Sequence, residues 1–373
     1  MSQDRREFLK KSFAMAGLAS TLGVTQQSFS VAQTHTLGIP GPYPGRVVAT
    51  HHPGSISGGQ YQAEPVRQMV QRGMMELTGA PSPADAWRVF FEKGDVVGIK
   101  VNPVGQPYVI SDALVLNEII SGLNMAGVST RDVVVYDRYR RQFLSAGFDK
   151  WLPEGARWMA ATDETGQFQL DMEGYDADTY MEMALVLPDA DPSNPHHRRS
   201  YVAKFLAKEV NKMINLCVLK HHQSAGVTLA LKNLSHGLVN NVSRSHASST
   251  NNTCNIFIPA VVDLPVVREK VVLNILDGVK GAYHGGPGSR IEKYVWEHKT
   301  MYFATDPVAM DKVGWKVLDK KRAEVGMLPI AEAPPDEDSR FLNMQVEHVE
   351  IAGALGLGVF NDEKIDLREL RLS

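Results

Sequence analysis

The chain of 373 residues contains only two cysteines. That number excludes a disulfide scaffold, a four-cysteine zinc site and an iron–sulfur cluster held by this chain's own thiolates. A surplus of basic residues is lacking too: 39 Lys and Arg stand against 42 Asp and Glu, a formal charge of −3. General basicity therefore predicts no nucleic-acid partner, whose phosphates demand a positive footprint. Beyond residue 32 no apolar run reaches membrane-spanning length. Glycine (31) and proline (20) sit near average usage, which excludes collagen-like and low-complexity chains. What is there is an ordinary globular composition, 43% hydrophobic and 22% charged, long enough for one large or two small domains.

The first 32 residues read as an address. Asp4-Arg5-Arg6-Glu7-Phe8-Leu9-Lys10 precedes a short apolar stretch from Ser12 to Val24, and Ser30-Val31-Ala32 supplies a small-x-small cleavage site. Paired arginines before a short h-region rich in Gly, Ser and Thr make a twin-arginine export signal. The expected partner is the twin-arginine export machinery. The expected mature chain is 33–373, periplasmic or secreted, with no transmembrane segment. This route carries proteins already folded, often with a cofactor in place.

The mature chain alternates strand and helix signals. Arg46 to Thr50, Asp95 to Val101, Asp132 to Tyr136, Met213 to Leu219 and Val271 to Leu276 read as strands. Gln62 to Leu77 and Ser111 to Ala126 have helical spacing, and Asp306-Pro307 caps a helix running towards Lys321. Strand–helix–strand order with short connections predicts an α/β fold, a mostly parallel sheet covered by helices on both faces in a single elaborated domain. Residues 160 to 200 read as an excursion with a weak strand at Met183 to Leu187, followed by a helix from Tyr201 to Val210.

Histidine is unevenly placed. His221, His222, His236 and His246 fall within one short window with Lys232, Asn233 and Arg244, directly after the strand Met213 to Leu219. Ligands of parallel sheets sit at the carboxyl ends of strands, so this is the right place for a site. If Gly226 to His236 is helical, Lys232 and His236 share a face one turn apart. Neutral imidazoles are common metal ligands, and one of them can equally act as acid or base near neutral pH. Capping and surface roles remain the bland alternative. Lys100 and Asn102, two apart on one strand, leave the same face; a lysine near the end of a buried strand calls for an anionic partner unless it snorkels outwards. Asp137 ends its own strand in a comparable position. Gly285-Gly286-Pro287-Gly288-Ser289-Arg290 reads as a backbone nest for an anion or as a plain turn. Cys217 reads as a buried thiol, and a Cys217–Cys254 disulfide stays open.

Several segments together resemble the domain-of-unknown-function 362 family in its twin-arginine-exported branch. They are His51-His52-Pro53-Gly54, Val97 to Asn102, Val135-Tyr136-Asp137-Arg138, Leu219-Lys220-His221-His222, Gly226-Val227-Thr228, Ala230-Leu231-Lys232-Asn233, Gly285-Gly286-Pro287 and Thr305 to Asp311. Some members carry ferredoxin-type cysteine motifs; this chain has none, so no iron–sulfur cluster is expected. Locally, His222-x3-Gly226-x5-Lys232 followed by His246 is similar to the cofactor segment of the lactate racemase family. That resemblance implies a lysine-tethered nickel-pincer nucleotide with histidines as metal ligand and acid/base. Leu229-Ala230-Leu231 departs from it, standing where that family has glycines.

The sequence thus predicts an exported metal- or cofactor-dependent enzyme for a small anionic or polar substrate. Lys100, Lys232 and His222 are its expected catalytic residues. Asn102, Asp137, Asn233, Gly285 and Gly286 are expected to hold the cofactor, and His221, His236 and His246 a divalent metal. The alternative is a non-catalytic periplasmic anion- or metal-binding protein using the same cleft.

Overall fold

The computed structural model describes residues 37–163 and 169–373; the export signal expected in residues 1–32 lies outside them. Strand β1 (Arg46–His51) buries Val47 and Ala49 on one face and Val48 on the other. The same alternation runs through β2 (Val97–Lys100) and β3 (Val133–Tyr139), where Val133 and Val135 enter one core, Val134 and Tyr136 the other. A strand covered on both faces reads as a continuous apolar run, which is why these segments were legible.

Further strands are β4 (Arg157–Thr162), β5 (Lys212–His222), β6 (Gly226–Val227), β7 (Val271–Ala282), β8 (Val295–Ala304) and β9 (Asp366–Arg371). They are ordered β9-β1-β8-β7-β5-β2-β3-β4, with β6 folded back on β5. From β7 to β4 the neighbours are parallel. β8 runs against both its neighbours, and β9 lies parallel to β1. Helices α1 (Ala63–Thr78) and α2 (Ala113–Met125) cover one face with Met69, Met74, Ile119 and Leu123. On the other face lie α3 (Ala230–Leu238), α4 (Cys254–Val262) and α5 (Pro307–Glu324). The mostly parallel sheet with helices on both faces is therefore the fold of this chain. Among the described residues, no helix is long and apolar enough to cross a membrane.

Three local expectations need correction. Met183 to Leu187 forms no strand, because the carbonyls of Met183 and Leu185 accept from the buried Arg244 guanidinium at 3.2 and 2.7 Å. The ladder of this excursion is instead Tyr175–Glu182 against Arg199–Ala203. Its second strand takes the start of the helix expected from Tyr201, leaving one helical turn at Phe205–Glu209. Finally, β5 continues through His222, so the paired histidines belong to the strand and do not follow it.

Candidate functional site

Strand register sets the polar floor of the site. Lys100 lies opposite Asn215, and Asn215 lies opposite Asn274 on β7. Asn215 Nδ2 donates to Asn274 Oδ1 at 2.9 Å, and Asn274 Nδ2 passes on to the Thr305 carbonyl at 3.1 Å. From above, Asn233 on α3 donates to Asn215 Oδ1 at 2.7 Å. Its own Oδ1 accepts from Asn102 Nδ2 at 3.0 Å and from Lys100 Nζ at 3.2 Å. Asn102 Oδ1 in turn accepts from Lys220 Nζ at 2.9 Å. This row of amides is buried, and every member has a partner, as burial of polar groups demands.

The expected anionic partner of Lys100 is Asp137. Lys100 Nζ donates to Asp137 Oδ1 at 2.7 Å and to the Val101 carbonyl at 2.6 Å, with both side chains nearly inaccessible. With the contact to Asn233, its three protons are committed. In this geometry Lys100 is a fixed cation that positions Asn233, and it has no proton to spare for a ligand.

Above this floor lies a cavity of about 600 Å³, lined among others by Arg138, Lys220, His222, Lys232, His236 and His246. Alternation along β5 explains its wall: Lys220 and His222 leave one side of the strand and His221 the other. Helix α3 brings Lys232, Asn233 and His236 onto one face by their spacing. Asp311 on α5 anchors the helix, accepting from the Ala230 and Leu231 amides at 2.7 and 2.9 Å. The carboxylate thereby satisfies two of the amides that a helix N-terminus leaves open.

Burial governs the chemistry of these groups. Lys232 is 8% exposed, and among the described residues its amine has no hydrogen-bond or ion-pair partner. Burial, with Arg138 and Lys100 nearby, draws its pKa from 10.5 down to about 8. Burial likewise pushes Lys220 well below the usual lysine range, with the charges of Lys232 and Lys100 adding to the effect. His222 and His236 are held well below 6.5, and His246 falls to about 3, burial leading in each case. The rings are therefore neutral at pH 7. His222 Nδ1 accepts from the Ser224 and Ala225 amides at 3.2 and 3.3 Å, so the neutral ring carries its proton on Nε2. It offers the cavity a donor, not a metal-binding lone pair.

Most of the sequence-predicted residues meet here: Lys100, Asn102, Asp137, His222, Lys232, Asn233, His236 and His246 all line the cavity. Others do not. His221 sits between Met344 Sδ, 3.0 Å from Nε2, and the Gly286 amide, which donates to Nδ1 at 3.3 Å. Gly285 turns the chain with a φ of +68° beside Tyr294, and Gly286 packs on β5, where a Cβ would collide with the His221 carbonyl, so Gly286 serves close packing. Sequence reasoning missed Arg138, whose buried guanidinium bonds Tyr175 and Gln169, and it assigned no role to Lys220. It also passed over Cys254, a free buried thiol at the start of α4; Cys217 is likewise free and buried. The signal for Lys220 was strand alternation, available once β5 is extended to His222.

Sheet, covering helices and cavity define an α/β protein with a cation-rich pocket at the carboxyl edge of its parallel strands. Residues 97–316 match the family described as Domain of unknown function (DUF362), and the chain belongs to that family. No curated protein matches it. Among solved structures it is similar to the crystal structure of a protein from Thermotoga maritima, 11% identical with a TM-score of 0.32. The match covers 59% of this chain and 51% of that one, so the chain spans about half the length of that solved protein.

Proposed function

We propose that the protein is an exported enzyme acting on a small anionic substrate, with Lys232 as its proton-transferring group. The observation that carries this reading is Lys232, a largely buried side chain whose amine meets the cavity with no counter-charge beside it among the described residues. A buried cation without a partner is costly to the fold, and an anionic ligand would offset that cost. Lys220, Arg138 and the Nε2–H of His222 would share the ligand's charge. A pKa of about 8 leaves Lys232 partly neutral at pH 7, as a general base requires. The same amine is where a lysine-tethered cofactor would attach, and such an adduct would appear as mass that persists on denaturation. Export is supported by Arg5-Arg6 and Ser30-Val31-Ala32 alone, and a mature chain starting at Gln33 would bear it out.

Calorimetric titration with phosphate and with malonate tests the binding. One equivalent of at least one anion should bind at pH 7, weaken above pH 8, and lose about tenfold or more in Lys232→Met. No binding, or binding untouched by that variant, overturns the reading. Hydrogen exchange beside the carboxylate of small 2-hydroxy acids, followed by NMR in D2O, separates the enzyme from a binding protein that captures the same anion without chemistry.

A further inference from the structure

Outside the amide row, one group of side chains among the described residues has the composition of a metal site. We infer that His236, His246 and Cys254 form a binding site for a soft divalent cation, zinc in the first instance, beside the anion cavity. The inference extends the proposed function to a metal in the same cavity, but it rests on a different observation.

The three residues come from three segments. His236 lies on α3, His246 follows the short helical turn Ser243–Ser245, and Cys254 opens α4. One ligand atom from each lies within 4.8 Å of the other two. All three converge on one hydroxyl: Ser245 Oγ is 3.0 Å from His236 Nε2, 2.9 Å from His246 Nδ1 and 3.9 Å from Cys254 Sγ. Two imidazoles and a thiolate are a nitrogen and sulfur donor set, which selects zinc-like ions over magnesium or calcium.

Proton accounting points the same way. Ser245 Oγ also lies 2.7 Å from the Val242 carbonyl, and Ser235 Oγ lies 3.3 Å from the Lys232 carbonyl and 3.0 Å from His236 Nδ1. In the form that binds a metal each imidazole keeps one proton, so the two hydroxyls and two imidazoles supply four protons for five such contacts. If Ser235 donates to the Lys232 carbonyl, His236 carries its proton on Nδ1 and turns the Nε2 lone pair towards Ser245 and Cys254. That is how a metal-binding imidazole is set by its second hydrogen bond. A cation on Nε2 then removes the shortfall, and Ser245 keeps its proton for the Val242 carbonyl.

Tetrahedral zinc, with bonds of about 2.0–2.1 Å to nitrogen and 2.3 Å to sulfur, holds such donors about 3.3–3.6 Å apart. Each pair, within 4.8 Å as it stands, therefore needs to close by no more than about 1.5 Å. Three protein ligands leave a fourth position, which would open on the cavity that His236 and His246 line.

The test uses the full chain, stripped of metal with a chelator and titrated with zinc and with cobalt(II). One equivalent should bind. Cobalt should give a thiolate-to-metal charge-transfer band and the intense visible absorption of four-coordination. Cys254→Ser should abolish the charge-transfer band, and His246→Asn should weaken binding by about 100-fold or more, at least the upper end of second-sphere losses. Ser235→Ala should cost about tenfold in affinity with the band retained. Absence of stoichiometric binding, or a band that survives Cys254→Ser, overturns the inference. Phosphate titration of the same metal-free samples keeps the two readings apart: phosphate binding with no uptake of zinc or cobalt sinks only the metal site, and a cobalt band without anion binding sinks only the anion site.

Discussion

Replacing Lys232 by methionine should stabilise this protein, the opposite of what most substitutions in a buried setting do. Methionine keeps the length and apolar stem of the side chain and removes only the unpaired amine. The pKa of that amine falls from 10.5 to about 8 on folding. The difference corresponds to about 3 kcal/mol of cost to the native state at pH 7. At roughly 2.1 cal/mol/K per residue, a chain of 373 residues converts this into a rise in Tm of about 4 °C. The sign with pH follows from proton counting. Below pH 8 the amine is charged in both states, and the cost is constant. Between pH 8 and about 10.5 the unfolded chain holds the proton more tightly, so wild-type stability rises relative to the variant and the gap closes. Calorimetric melts of both proteins at pH 7 and pH 10 measure it, because the other buried lysines, Lys100 and Lys220, are common to both. A variant no more stable than wild type at pH 7, or a gap that ignores pH, would refute the reasoning. The expected pairing of higher stability with lost anion binding is the trade that functional sites commonly show.

Lys100→Met should have the contrary effect, about 3–5 kcal/mol of destabilisation, because it strands the buried Asp137 carboxylate. Adding Asp137→Asn should return part of that loss, and a double-mutant cycle by urea unfolding reads the coupling. Asp311→Ala leaves the Ala230 and Leu231 amides unsatisfied and should cost about 2–4 kcal/mol. Since α3 carries Lys232, weaker phosphate binding should accompany it in calorimetry. His222→Gln should weaken phosphate binding by about tenfold with little change in Tm, since the ring offers the cavity a single donor.

The parallel half of the sheet was legible because Val97 to Lys100, Val133 to Tyr139 and Val271 onwards are apolar on both faces. β8 and β9 were not, since Trp296 to Thr300 mixes polar and apolar residues and β9 is largely exposed. The site was legible where chemistry-bearing residues clustered in sequence, from Lys220 to His246. It was blurred where a strand boundary decided orientation: ending β5 at Leu219 hid the alternation that separates His222 from His221. Lys100 stood out correctly as needing an anion, but its partner is Asp137 rather than a ligand, a fact set by the pairing of β2 with β3. Cys254 gave no signal because its neighbours in the site, His236 and His246, reach it only through the fold.

The buried asparagine row has a direction. Lysines donate into it at Asn102 and Asn233, each amide nitrogen then donates onward, and the last donors end on the carbonyls of Ala230 and Thr305. Side-chain amides neither take up nor release protons in this pH range. A row built from them fixes orientation but does not conduct, unlike a file of waters or carboxylates. It insulates the cavity from below, so under the proposed function a proton leaving or reaching Lys232 does not pass through the floor.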